Sequence, residues 1–130
     1  MRSAICVHRF FEMHKFKELI VWKKSRELVK EIYLMSNSFP EDERFGLTQQ
    51  IRRAVVSISS NIAEGAGRTT NMDFCRFLDI ANGSAFEVET QLYLALDLNF
   101  IKSDAFETIN IKLQDVQKLL FNFRKSLSKS

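Results

Sequence analysis

Ile51-Arg-Arg-Ala-Val-Val-Ser-Ile-Ser-Ser-Asn-Ile-Ala-Glu-Gly65 is the stretch that decides the fold. Apolar residues stand at Ile51, Val55, Ile58 and Ile62, and Gly65 continues the spacing. Steps of four, three, four and three place them on one helical stripe. The other faces are unusual, because no charged residue occurs between Ala54 and Ala63. One flank carries Arg53, Ser57, Ser60, Asn61 and Glu64, and another carries Arg52, Val56, Ser59 and Ala63. A solvated helix face normally carries Lys, Glu and Gln. Small residues on all sides predict a helix packed closely in more than one direction, the central helix of a bundle.

Working outward, three further helices are legible. A first helix is expected from about Leu19 to Met35, with Trp22, Ser25, Val29, Ile32 and Met35 as its stripe and Leu28 beside it. Ser36-Asn-Ser-Phe-Pro40 ends it, since Ser and Asn compete for backbone bonds and proline cannot continue a helix. The second helix is expected from near Glu41 to Ala63 or Glu64, with early acids suited to its N-terminal dipole and Gly65-Ala-Gly67 as a left-handed stop. Thr70 with Asp73 reads as a capping box opening a third helix, Met72 to Leu98. Its core stripe is Phe74, Leu78, Ala81, Ala85, Val88, Leu92 and Ala95. Phe86, Tyr93 and Phe100 recur every seven residues as a second apolar row, and Gly83 suggests a close helix crossing. Ser103 is expected to cap a fourth helix with Phe106, Ile109, Leu113, Val116, Leu120, Phe123 and Leu127 inward. The tail from Arg124 is polar and basic. The fold class is therefore all-α, an antiparallel up-and-down four-helix bundle. Residues 1–13 read as a leader without periodicity and 14–130 as the bundle domain.

Composition narrows the function classes. A chain of 130 residues, 45% hydrophobic, can bury one core without disulfides or metals. No apolar run approaches the roughly 18 residues that span a bilayer, and the leader is too weakly apolar for a secretory signal. Cys6 and Cys75 lie far apart, which suits reduced thiols in a cytoplasm. The net charge of +3 is unevenly spread. Residues 1–70 carry +4, residues 71–101 carry −4 and residues 102–130 carry +3. The basic part reads either as ordinary solvated faces or as a surface for a polyanion.

Chemistry finds little purchase. Metal sites in bundles use inward Glu-x-x-His pairs, whereas His8 and His14 precede the first helix. Glu87 and Glu89 point about 200° apart and cannot share an ion. Cys75 reads as a packed residue more readily than as a thiolate. Gly65-Ala-Gly67-Arg68 follows a helix, where a phosphate loop follows a strand. No catalysis, metal or cofactor is expected. Two polar groupings remain. Asn61, Glu64, Glu87, Glu89 and Thr90 could meet as a polar layer between antiparallel helices. Lys23, Lys24, Arg26 and Lys30 of the first helix, with Arg52, Arg53 and Arg68, are the candidate nucleic-acid-binding residues, because guanidinium and ammonium groups suit phosphate. Surplus apolar surface at Phe86, Tyr93 and Phe100 is the candidate oligomer interface.

The stretch Ile51 to Arg68 resembles the signature of the 23S rRNA intervening-sequence proteins. Arg76-Phe-Leu78, Gly83-Ser84 and Glu87-Val-Glu-Thr-Gln-Leu92 are similar to that family's second block. Phe16-Lys-Glu-Leu19 with Val21-Trp22-Lys23 is similar to its opening. Ser59 stands where the family often has proline, Asn82 replaces a small apolar residue, and the leader has no counterpart. The resemblance implies a bacterial, homopentameric bundle protein with no catalytic residues to carry over. It also implies a likeness to accessory proteins of diversity-generating retroelements, which bind nucleic acid and a reverse transcriptase. The expectation is a cytoplasmic, nucleic-acid-binding homo-oligomer, with RNA ahead of DNA. The alternative is a protein-interaction scaffold such as a reverse-transcriptase accessory subunit.

Overall fold

The computed structural model describes residues 15–129. The leader, with Cys6, His8 and His14, lies outside them. After a 3-10 turn at Phe16–Glu18 come four helices, α1 (Ile20–Ser36), α2 (Leu47–Ala66), α3 (Asn71–Asp97) and α4 (Ser103–Ser128). Each packs against the next in the chain, and α4 returns to α1. This is the antiparallel up-and-down bundle that the periodicity predicts. No helix among the described residues is long and apolar enough to cross a membrane.

The core is built from the expected stripes. Ile51, Val55, Ile58 and Ile62 of α2 are fully buried, as are the α3 stripe residues from Leu78 to Ala95, and Phe74 is buried. On α1 the stripe is turned slightly, to Val21, Ser25, Leu28, Ile32 and Ser36, leaving Trp22, Val29 and Met35 half-buried. Small hydroxyls let the helices approach. Ser25 Oγ and Ser59 Oγ lie 2.9 Å apart between α1 and α2, and Ser57 Oγ and Ser84 Oγ lie 2.9 Å apart between α2 and α3. Proline at 59 would offer no hydroxyl to Ser25.

Several boundaries differ from the sequence reading, each for a local reason. The acids Glu41–Glu43 form a 3-10 turn, and α2 starts only after Gly46. Glu43 nevertheless serves its N-terminus, accepting the Leu47 amide proton on Oε1 at 3.0 Å. Gly65 and Ala66 remain helical, and Gly67 ends α2 at φ −84°, outside the left-handed region. Gly65 is required for proximity instead. A Cβ there would lie 2.7 Å from Phe74 Cδ1 and 2.8 Å from Phe77 Cβ. Gly83 makes no such crossing, since a Cβ there meets nothing within 4 Å. Thr70 does cap α3, accepting the Asp73 amide at 3.1 Å. Ser103 is already inside α4, and Asp104 Oδ1 takes an amide proton there, from Ala105, at 2.8 Å.

The left-handed residue of the described chain is Asn99, at φ 62°. Phe100 N–H bonds to the Ala95 carbonyl at 2.8 Å and Asn99 N–H to that of Leu96 at 3.0 Å. That is a Schellman closure of α3. It swings Phe100 inward onto Phe39, ring centroids 5.6 Å apart.

Candidate nucleic-acid interface

The candidate cations do not form one surface. Lys23, Arg26 and Lys30 recur at steps of three and four on the outer side of α1 and line one open groove with Trp22 and Lys17. Of the two acids of α1, one stays at this groove and one is engaged elsewhere. Glu27, at the rim of this groove, pairs with Lys24 at 3.6 Å, and Glu31 pairs with Lys112 across the α1/α4 seam at 2.9 Å. Glu18 pairs with Lys15 at 3.8 Å. Lys17, Lys23, Arg26 and Lys30 have no ion pair among the described residues, so the groove carries an excess of positive charge over its one carboxylate, Glu27. Lys24 is turned to Glu27 and contributes less.

Trp22 organises the groove. Its half-buried indole packs on the core, Phe16 meets it edge-on at 5.2 Å, and the Arg26 guanidinium lies 5.6 Å from its ring centre. The guanidinium is thereby held over the aromatic face rather than sweeping through solvent. Lys17 escaped the sequence reading because it precedes the helix, on the 3-10 turn. The signal available was its neighbour Phe16, whose ring folds the turn back onto Trp22.

Arg52 belongs elsewhere. Its Nε donates to Ser36 Oγ at 2.8 Å, and one Nη donates to the Tyr33 carbonyl at 3.3 Å and to Asn37 Oδ1 at 3.1 Å. Its guanidinium also lies 4.7 Å from the centre of the Tyr33 ring. It closes the C-terminal end of α1, where orphan carbonyls and the negative dipole end favour a cation. Residue 33 is about 15 Å along the helix axis from residue 23, at a rise of 1.5 Å per residue. Arg53 is exposed on the outer face of α2, in a shallow groove that it shares with Arg52, Tyr33, Arg44, Phe45 and Val56. Phe45 is 80% exposed there. Arg68 follows α2 and stacks on Phe77 at 4.5 Å.

The expected polar layer is dispersed. Asn61 donates to the Ser57 carbonyl at 2.8 Å and to its hydroxyl at 3.0 Å, within its own helix. Glu64 is exposed. Glu87 accepts from Gln91 at 3.2 Å, Glu89 accepts from Gln117 of α4 at 3.1 Å, and Thr90 donates to the Phe86 carbonyl at 3.1 Å. Residues 87 and 89 point to opposite sides, so they cannot share a partner. The second apolar row is likewise split. Phe86 and Tyr93 are 55% and 48% exposed, whereas Phe100 turns inward after the Asn99 bend. Phe121 of α4, 64% exposed, lies with Phe86 along a second groove that also holds Glu89 and Lys118.

Among the described residues no group of three or more His, Cys, Asp or Glu converges. Cys75 is buried, and its thiol donates to the Arg124 carbonyl at 3.7 Å. Arg124 in turn grips Asp79 with Nε to Oδ1 at 2.8 Å and Nη2 to Oδ2 at 3.2 Å. That hydrogen-bonded carboxylate raises the Arg124 guanidinium above its ordinary value.

The family model described as 23S rRNA-intervening sequence protein matches residues 17–122. Among solved structures, the chain is similar to a Bacteroides thetaiotaomicron protein described as of unknown function and from the S23 ribosomal protein family. The identity is 31% and the TM-score 0.76, over 82% of this chain and 99% of that one. No curated protein matches the chain.

Proposed function

The chain belongs to the 23S rRNA-intervening sequence protein family, and from that premise we propose that it is a non-catalytic RNA-binding protein that takes phosphate on the outer face of α1. The observation that carries this reading is the row of Lys17, Lys23, Arg26 and Lys30, four cations against the one carboxylate, Glu27, that lines the same groove. Such a face offers point charges and one guanidinium to a phosphate backbone. The family description favours RNA over DNA as the first ligand. Gel shift with a structured RNA at two salt concentrations tests it. Binding at low salt that weakens steeply as salt rises is expected, and absence of binding at low salt rejects the proposal.

A second part concerns assembly. The outer face of α2 is uncharged from Ala54 to Ala63 and exposes Val56, Phe45 is exposed just before α2, and α3/α4 exposes Phe86 and Phe121. Exposed apolar side chains grouped in this way are a mark of interfaces. We propose a homo-oligomer, with five subunits as the number suggested by family resemblance. Light scattering tests it: a monomer at micromolar concentration rejects the assembly, and another ring size rejects only the number. If the protein instead copurifies with a second polypeptide on these faces, the scaffold reading takes its place.

A further inference from the structure

We infer that a single RNA strand held on α1 continues into the α2 groove, where one unpaired base stacks on Phe45. This rests on the phosphate-binding reading above and specifies its ligand. The two grooves adjoin. Lys30 lines the one on α1 and Tyr33 lines the one on α2, and residues three apart are neighbours on a helix surface. A strand whose phosphates follow Lys23, Arg26 and Lys30 therefore arrives at Tyr33 and the α2 wall.

The α2 groove differs from the α1 groove in two ways. Arg44, Arg52 and Arg53 line it and no carboxylate does. Arg52 is committed to the end of α1, but Arg53 has no ion pair among the described residues, and Arg44 has an exposed pair with Glu41 at 3.7 Å. An exposed pair of that length holds its partner weakly, so both guanidiniums can turn to phosphate. The second difference is the ring. Trp22 is half-buried with Phe16 against its edge, whereas Phe45 is 80% exposed, between the Glu41–Glu43 turn and α2, and belongs to no part of the core. The Arg44 guanidinium lies 5.5 Å from the centre of that ring. An exposed ring beside a guanidinium plane is a platform for a base, and any base has a face that fits it. Gln49 and Ser60 in the same groove supply neutral donors and acceptors for the base edge.

Only an unpaired base can use such a platform. Within a duplex the base faces are stacked on one another and the grooves present edges and backbone. A duplex therefore meets the arginines but gains nothing from Phe45.

The experiment titrates the full chain with an unstructured single-stranded RNA and with a blunt RNA duplex of equal length, following the anisotropy of the labelled RNA. Phe45→Ala should weaken single-strand binding about 5–150-fold, the effect of losing one stacked base, and leave duplex binding unchanged. Its salt slope should match the parent's, because a ring displaces no counterion. Phe45→Trp should keep the single-strand affinity. Light scattering should give the same mass for the parent and for both variants. Single-strand binding unchanged in a folded Phe45→Ala protein, or an equal loss for both RNAs, overturns the stacking inference and leaves phosphate binding on α1 standing. A lower mass for Phe45→Ala assigns the ring to a subunit contact and overturns the inference as well. Absence of binding by either RNA to the parent protein at low salt removes the α1 reading, and this inference with it.

Discussion

Two glycines, Gly65 and Gly83, give opposite answers to the same substitution. Both lie inside helices, so alanine at either position gains about 1 kcal/mol of helix propensity. At Gly83 nothing offsets the gain, since a new Cβ meets no atom within 4 Å. At Gly65 the Cβ would sit 2.7 Å from Phe74 Cδ1 and 2.8 Å from Phe77 Cβ. The Phe74 ring has little room to turn, because Phe123 packs edge-on against it at 5.3 Å. Phe77 Cβ is fixed to the α3 backbone, so relief there requires α2 and α3 to separate. Overpacking of this kind costs about 1–3 kcal/mol, and the rigid partner argues for the upper part of that range. Gly65→Ala should therefore lose about 1–2 kcal/mol net and Gly83→Ala should gain about 1 kcal/mol. Scanning calorimetry or urea unfolding resolves both, at about 4 °C of Tm per kcal/mol for a domain of this size. A Gly65→Ala protein as stable as Gly83→Ala would refute the close α2/α3 approach. A Gly83→Ala protein that loses stability and subunits together would show that the outer face of α3 is covered in the assembly.

Arg52→Ala should cost about 1–3 kcal/mol in urea unfolding, because it removes three hydrogen bonds and the Tyr33 stack at the end of α1. The same protein should bind RNA as well as the parent does, and a gel shift showing a large loss would return Arg52 to the interface. Arg26→Ala should make the salt slope of RNA binding shallower by about 0.7–0.9, one phosphate contact, and an unchanged slope would remove Arg26 from the contact. Thr70→Ala should lower stability by about 0.5–2 kcal/mol through loss of the α3 cap, read as a shift in the urea midpoint. Asp79→Asn should leave the Tm almost unchanged, since the Arg124 pair is solvent-exposed. A larger drop in Tm would mean that the pair anchors the end of α4.

The bundle was legible because its signals are local and redundant. Every residue on the three–four stripes of α2 and α3 is buried, while Ala54 and Ala66 on α2 and Phe77, Ser84 and Gln91 on α3 are buried off the stripe, where the neighbouring helices close in. The site was less legible because charge carries no periodicity that says where a long side chain will turn. Arg52 and Arg53 are adjacent in sequence and about 100° apart on the helix, so one caps α1 and the other faces outward. Lys17 was missed because it sits on a turn fixed by Phe16 packing on Trp22, a contact between non-neighbours. The expected Phe86–Tyr93–Phe100 row failed at its last member because an αL asparagine ends α3 before Phe100. Asn at C′ is a weaker sequence mark than Gly, whereas the glycine that does end α2, Gly67, is not left-handed.

The ring of contacts in the bundle has a consequence for how the chain reaches its native state. Helices α2, α3 and α4 each pack on the helix made just before, so most pairings close short loops and cost little entropy. Only the α1/α4 seam, with the Glu31–Lys112 bridge across it, joins segments some eighty residues apart. Topologies of this kind fold in microseconds to milliseconds, far faster than the synthesis of one residue. During synthesis, then, a three-helix intermediate has time to form and must wait for α4 with one side of its core bare. For the seconds before Phe106, Leu113 and Leu120 emerge, the nascent protein exposes the surface that they will cover, and that interval is when a neighbouring nascent chain can take α4's place.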